Sequence, residues 1–262
     1  MKVLVTGHKG FIGTQVFSDL KESGLSVNGF DLGDAFPAET YDFIVHLAAR
    51  TLIRKSLEKP YEYYEDNMGL SMKLIEKSRI DGSVMIFPTS GSVMEATNPY
   101  SLSKKQIVEW LNLYNNLFGT GSYILKFYNV YGPTSRKGAV YLFSKAAVEG
   151  SSAVIYGDGS HRRDFIHVRD VSKIILNTIM GRYTERELEV GTGTGTSVME
   201  LLRKVETITG KKIATETKPY VLPEAEDLHA AKPLLDSFIH IDDGIREVVK
   251  AVQSSGWKAS PQ

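Results

Sequence analysis

Tyr100 and Lys104 stand four residues apart in the stretch NPYSLSKKQIVEW, Asn98 to Trp110. On a helix that interval puts both side chains on one face, a turn apart, where they can act on one bound molecule. A free phenol ionises near pH 10, about three units too high for a base at neutrality. A neighbouring ammonium favours the phenolate, and a shift of that size corresponds to roughly 4 kcal/mol. Ser90, at the end of the apolar run SVMIFPTS, is placed to hydrogen-bond the same substrate hydroxyl. Together the three suit reversible oxidation of an alcohol. Taken alone, a tyrosine and lysine at this spacing occur by chance on many helices, so the surrounding chain decides their meaning.

The elements that must position them begin at the N-terminus. Gly7, Gly10 and Gly13 form GHKGFIG between a strand-like run, Lys2 to Val5, and an apolar pattern, Phe11, Ile12, Val16, Phe17 and Leu20, that fits one helix face. There a dinucleotide pyrophosphate can approach bare backbone and meet a helix N-terminus. The spacing is GxxGxxG, so the commoner GxGxxG fingerprint is met only in part. Asp31 lies 18 residues after Gly13, at the end of the next strand, LSVNGFD. A carboxylate there accepts the ribose hydroxyls of NAD and repels the extra phosphate of NADP. His8 and Lys9 are read as facing solvent or phosphate.

Further strands are read at Phe43 to Ala49, at SVMIFPTS and in GSYILKFYNVYG, with helices over about Tyr61 to Arg79 and from Asn98 or Pro99. Strands alternating with helices predict an α/β, doubly wound parallel sheet. After Pro133 the elements shorten: AVYLFSKAAVEG helical, SAVIYGDGS a strand and turn, SVMELLRKVETITG helical. The predicted division is a mainly NAD-binding domain over 1–133 and a mainly substrate-binding lobe over 134–262. Residues 165–180, which include HVRDVSKIILNTIM, are a helix that can return to the first domain. Trp257 is read as an anchor for a frayed tail.

Composition sets bounds. A chain of 262 residues, 42% hydrophobic, can bury a sizeable core. Its 31 basic and 31 acidic residues balance, which argues against a nucleic-acid or anionic-membrane partner. Cysteine is absent, which excludes disulfide and thiolate chemistry and fits a reducing, cytoplasmic location. The first apolar stretch breaks at Gly7 and no later apolar run is long enough to span a bilayer. The histidines have no ligand cluster, so no metal is expected.

In their order these motifs make the chain resemble the extended short-chain dehydrogenase/reductases, within them the NAD-dependent nucleotide-sugar epimerase/dehydratase group. VTGHKGFIG is similar to the glycine loop, HLAA (His46 to Ala49) to the fourth-strand motif, Asn67 with Gly69 to a central-helix motif, and PYSLSK to the active-site motif. FYNVYGP, YGDGSHRRDFIHVRDV and GTGTGTSVMEL complete the series. The resemblance implies a Rossmann-like fold with a small C-terminal substrate lobe, and catalytic positions at Ser90, Tyr100 and Lys104. It implies cofactor positions at Gly7, Gly10, Phe11, Ile12, Gly13, Asp31, Leu47, Ala48, Ala49 and Lys104. Asn129 falls where the family contacts the sugar or diphosphate, and Arg163 where it grips the diphosphate. A guanidinium fork suits paired bonds to phosphate on chemical grounds as well. Arg162 competes for that role, and an ion pair of Arg163 with Asp164 or Asp170 is the plain structural alternative. The resemblance also implies a homodimer, for which Ile107, Val108, Leu111 and Leu117 offer apolar surface or else bury against their own sheet.

Two departures stand out. Ten residues separate Asp31 from Asp42, so the strand and helix usual in the family after the second strand are lost or reduced, and the adenine pocket is expected to be open. PTSGSV lacks the Asp-Glu pair of 4,6-dehydratases, and Glu95 lies out of position to replace it. The expected activity is an NAD-dependent nucleotide-sugar 4-epimerase working through a transient 4-keto sugar. UDP-uronate decarboxylase, with a uronate held by Arg50, Arg54 or Arg136, remains open, as do a dehydratase and a 4-keto reductase. A non-catalytic NAD-binding regulatory protein is the alternative of another class.

Overall fold

The computed structural model describes residues 1–90, 96–220 and 226–255. Chain order is β1 (Lys2–Thr6), α1 (Phe11–Glu22), β2 (Ser26–Phe30), β3 (Phe43–His46), α2 (Ile53–Glu58), α3 (Pro60–Asp81), β4 (Val84–Ser90), α4 (Pro99–Phe118), β5 (Tyr123–Phe127) and β6 (Asn129–Tyr131). There follow α5 (Ala139–Glu149), β7 (Ala153–Tyr156), β8 (Arg162–His167), α6 (Val168–Ile179), β9 (Glu187–Val190), β10 (Gly195–Ser197), α7 (Val198–Thr209), β11 (Thr215–Lys218), β12 (Asp227–Leu228) and α8 (Ile241–Ser254). Trp257 and Glu95 lie outside the described residues.

The chain divides into two compact units, one of Met1–Phe127 with Ser172–Val190, the other of Tyr128–Val171 with Gly191 onward. The first is built on a sheet of order β2-β1-β3-β4-β5-β9, parallel at each pairing. This is the predicted Rossmann-like sheet. Its central strands are apolar on both faces, as strands covered on both sides must be: Val3, Leu4, Val5, Ile44, Val45, Met85, Ile86 and Phe87 are all buried. On one face Leu4, Ile44, Met85, Phe87 and Ile124 pack with Met68, Leu74 and Ile75 of α3 and Ile107 and Leu111 of α4. Ile107 and Leu111 therefore take the core option left open by the sequence. The apolar surface of α4 is a different stripe, Leu102, Trp110, Leu113 and Leu117, the last 64% exposed.

The shortening after the second strand is visible in the sheet order. β2 is the edge strand, and 31–42 joins it to β3 without an intervening strand or helix.

The second unit wraps α5, α7 and α8 around one apolar cluster that includes Phe143, Leu201, Val205, Ile245 and Val248. β8 pairs with β6 in parallel and with β10 antiparallel, and β12 adds to it. Helix α8 lies close over β6, since a Cβ on Gly244 would meet the Tyr131 hydroxyl at 2.2 Å.

Candidate active site

The glycine loop is shaped by contacts that no side chain would survive. Gly7 has φ +69° and donates its N–H to Phe30 O at 2.8 Å, and a Cβ there would lie 2.7 Å from Ala48 N. A Cβ on Gly13 would lie 2.0 Å from Gly7 O. The loop is thus pressed between the start of α1 and the Leu47–Ala48 segment after β3, which brings together most of the residues assigned to a cofactor. Gly10 is the N-cap of α1 and has no capping side chain, and no acidic residue occupies the first turn. The first N–H groups of the helix and its positive dipole end are left for an anion. Asp31, just past β2, accepts from Leu32 N at 2.9 Å and from Lys9 N of the loop at 3.2 Å.

Helix α4 starts where its sequence dictates. Asn98 is an extended N-cap whose Oδ1 accepts from Ser101 N at 3.0 Å, while Ser101 Oγ accepts from Asn98 N at 3.2 Å, and Pro99 occupies the first turn. This fixes Tyr100 in the first turn and Lys104 one turn on. The Lys104 ammonium donates to Pro88 O at 3.1 Å and lies 4.3 Å from the Phe87 ring centre. Lys104 thereby ties α4 to the end of β4, two residues before Ser90.

The electrostatics differ from the expectation of a depressed phenol. Burial pushes the Tyr100 phenol up to about 12, with Tyr63 adding to the shift, and burial pushes the Lys104 ammonium down to about 7. Desolvation disfavours each charged form. The chain's own groups therefore favour a neutral tyrosine and, one helical turn on, disfavour the charged form of the lysine.

Asn67 and His46, placed by the sequence in motifs without a bracing role, steady the start of α4 and the segment after β3 together with Ser71 and Ser103. Asn67 of α3 donates to Ser103 Oγ, which donates to Tyr100 O at 2.8 Å, and Asn67 Oδ1 accepts from Arg50 N. One amide steadies both the first turn of α4 and the segment after β3. His46 is fully buried between Thr6 Oγ1 (2.7 Å) and Ser71 Oγ (2.9 Å). Ser71 spends its proton on Asn67 O and Thr6 Oγ1 accepts from Ala48 N. The pattern is complete when Nε2 carries the proton and Nδ1 accepts. Burial, helped by Lys104, holds the imidazole down at about 3, which keeps that neutral tautomer.

A pH dependence follows. His46 and His167, the second pushed down to about 4 by burial, take up protons in the unfolded chain below about pH 6.5 but not in the folded one. The contribution of the two histidines is full above that pH and falls as pH drops toward the folded values, by up to about 1.4 kcal/mol per pH unit for each group. Urea unfolding at pH 7, 6 and 5 should show this fall, with a shallower slope in His46→Gln.

In the second unit Asn129 is exposed on β6, opposite Phe165 of β8, while Arg163 lies two positions earlier on β8. Arg162 is held by Glu200 and Gly195 O. Both Asp164 carboxylate oxygens are taken by backbone N–H groups and the Thr192 hydroxyl, and Asp170 Oδ2 accepts from Ile239 N. Among the described residues no group of three or more His, Cys, Asp or Glu could hold a metal, and no helix is long and apolar enough to cross a membrane.

Residues 3–187 match the model of the NAD dependent epimerase/dehydratase family. The chain belongs to that family. Among curated members, a putative UDP-glucose 4-epimerase of Methanocaldococcus jannaschii is 28% identical, over 76% of this chain and 79% of that one. A UDP-glucuronate 4-epimerase of Thermodesulfobacterium geofontis is 26% identical over 94% of each. The crystal structure of a UDP-glucose 4-epimerase from Thermotoga maritima with UDP-glucose superposes with TM-score 0.84 at 24% identity, covering 97% of this chain and 99% of that one. The epimerase/dehydratase fold is thus shared over nearly the whole length.

Proposed function

We propose that the protein is an NAD-dependent nucleotide-sugar 4-epimerase. The observation that carries this reading is the capped start of α4, which sets Tyr100 and Lys104 a turn apart with the lysine anchored beside the strand that ends at Ser90. The glycine loop fits a dinucleotide, because Gly7 and Gly13 have no room for a Cβ and the start of α1 is uncapped by side chains. Gly7, Gly10, Phe11, Ile12 and Gly13 would hold the pyrophosphate, Asp31 the adenosine ribose, and Leu47, Ala48, Ala49 and Lys104 the remainder. When bound, NAD supplies a reversible two-electron acceptor for the sugar carbon.

Tyr100 takes the proton of the 4-hydroxyl as that carbon is oxidised and returns it after the 4-keto sugar has turned its other face. Ser90 hydrogen-bonds the same oxygen and holds it for transfer. A buried phenol at about 12 must be lowered for this work. A charged Lys104 and the positive ring of oxidised cofactor act in that direction. Arg163 and Asn129 hold the diphosphate, so that binding energy away from the reacting carbon positions it. Arg162, which bonds Glu200 and Gly195 O, is the competing candidate, and Arg163 itself donates to Arg162 O at 2.8 Å.

The curated relatives named above support epimerisation over dehydration. Of the three arginines read as uronate partners, Arg50 pairs with Asp66 and Glu62 at the surface and the Arg136 guanidinium donates to Pro133 O and Ser135 O, so a uronate held by either would compete with these partners. The stripe of Leu102, Trp110, Leu113 and Leu117 offers surface for a homodimer, and Leu113→Glu should halve the mass seen by light scattering.

Proton NMR of UDP-glucose, UDP-galactose, their N-acetyl forms and UDP-glucuronate, each incubated with enzyme and catalytic NAD, tests the reading. New C4-epimer signals without net NADH are expected; a pentose product from glucuronate would replace epimerase by decarboxylase. Asp31→Ala should narrow the preference for NAD over NADP by about tenfold, through loss of like-charge repulsion, measured by calorimetry.

A further inference from the structure

In the common doubly wound order a further strand lies outside the second. Here β2 is the edge, and from Leu32 to Asp42 only Pro37 and Tyr41 are not exposed. Leu32 is 83% exposed and Phe36 44%. Where an extra crossover would pack, there is an open cleft of about 500 Å³ lined by Asn28, Phe30, Ala35, Phe36 and Tyr41. Asp31 is pulled inward, since its Oδ2 accepts from Lys9 N of the glycine loop. A ribose held by Asp31 would therefore sit against the loop, and the base attached to it would project toward the edge of the sheet. At that edge Leu32 and Phe36 are the large apolar side chains on hand, both on an exposed connection.

Resting on the dinucleotide reading above, we propose that this chain grips NAD from the nicotinamide through the pyrophosphate to the adenosine ribose, leaves the adenine unread, and so exchanges the cofactor with the bulk pool. A base is read through two things: walls on both faces and hydrogen bonds to its edge. The exposed connection offers Leu32 and Phe36 for one face at most, and the polar side chains beside it are already paired, Asn28 with Glu39 and Tyr41, Asp34 with Asp31 N and Lys9, and Glu39 with Lys2. Affinity then rests on the glycine loop and Asp31, and changes to the purine are tolerated.

The test is calorimetric titration of nucleotide-free protein with NAD and with its 1,N6-etheno analogue, in which a fused ring removes the hydrogen-bonding edge of the base and enlarges it. The two dissociation constants should agree within about threefold, whereas a pocket that reads the base would separate them by about tenfold or more. A ratio above threefold overturns the proposal, as does protein that keeps one NAD per chain through desalting. Asp31→Ala should weaken both ligands to the same degree; weakening of one alone overturns it. Binding of neither would reject the dinucleotide reading itself, an outcome distinct from unequal binding.

Discussion

Tyr100→Phe is expected to lower turnover about a thousandfold or more, the upper part of the range for a positioned acid–base group, while NAD and nucleotide-sugar dissociation constants stay within about threefold, a change worth under ~1 kcal/mol. The substitution removes one hydroxyl and keeps the ring, so the half-buried site retains its packing. Helix α4 keeps its start, because the cap is built from Asn98 and Ser101 and the brace from Asn67 and Ser103, none of which touches the phenol oxygen. Turnover by NMR and binding by calorimetry separate the two effects. Equal losses in both would mean that Tyr100 holds substrate without moving its proton.

Asp164→Ala should cost more stability than any change at the reaction centre, roughly 4 kcal/mol, in the range for removing one partner from a buried charged network. Asp164 has no exposed surface. Its Oδ1 accepts from Thr192 N at 2.9 Å and Thr192 Oγ1 at 2.7 Å, and its Oδ2 from Gly193 N at 2.9 Å and Ala230 N at 3.2 Å. Alanine would strand three backbone donors, and such groups are costly when water cannot reach them. Asp164→Asn does not rescue, because an amide nitrogen would face donors on one side. Gly191 belongs to the same knot: a Cβ there would lie 2.4 Å from Asp164 Oδ2. Urea midpoints for both variants check the expectation.

Periodicity and punctuation made much of the first unit legible. The alternation of apolar runs with helical ones specifies a parallel sheet, and NPYS announces a capped helix at the residue where α4 begins. Other features depend on contacts distant in sequence. The spacing of Tyr100 and Lys104 was readable, but not that burial drives their pKa values in opposite directions from useful ones. His46 stood in a motif without a role, because its partners Thr6 and Ser71 lie 40 and 25 residues away. Helix α8 was not foreseen although Ile241, Ile245, Val248, Val249 and Val252 are helically spaced. Gly244 interrupts that pattern, and its reason is tertiary, the closeness of Tyr131. Asp164 reads as an ion-pair partner for arginine until the backbone donors at 192, 193 and 230 are seen.

The chain leaves the first unit at Phe127 and returns to it at Ser172, and β9, which completes the sheet beside β5, is made of Glu187–Val190. During synthesis the last strand of the sheet therefore emerges about 60 residues after its neighbour, a wait of roughly 3 to 12 s at ordinary ribosome speeds. For that interval the free edge of β5 is exposed, and an unpaired edge recruits other strands. The nascent protein thus passes through a stage open to chaperones and to mispairing. A chain truncated anywhere between 128 and 186 would make that stage permanent.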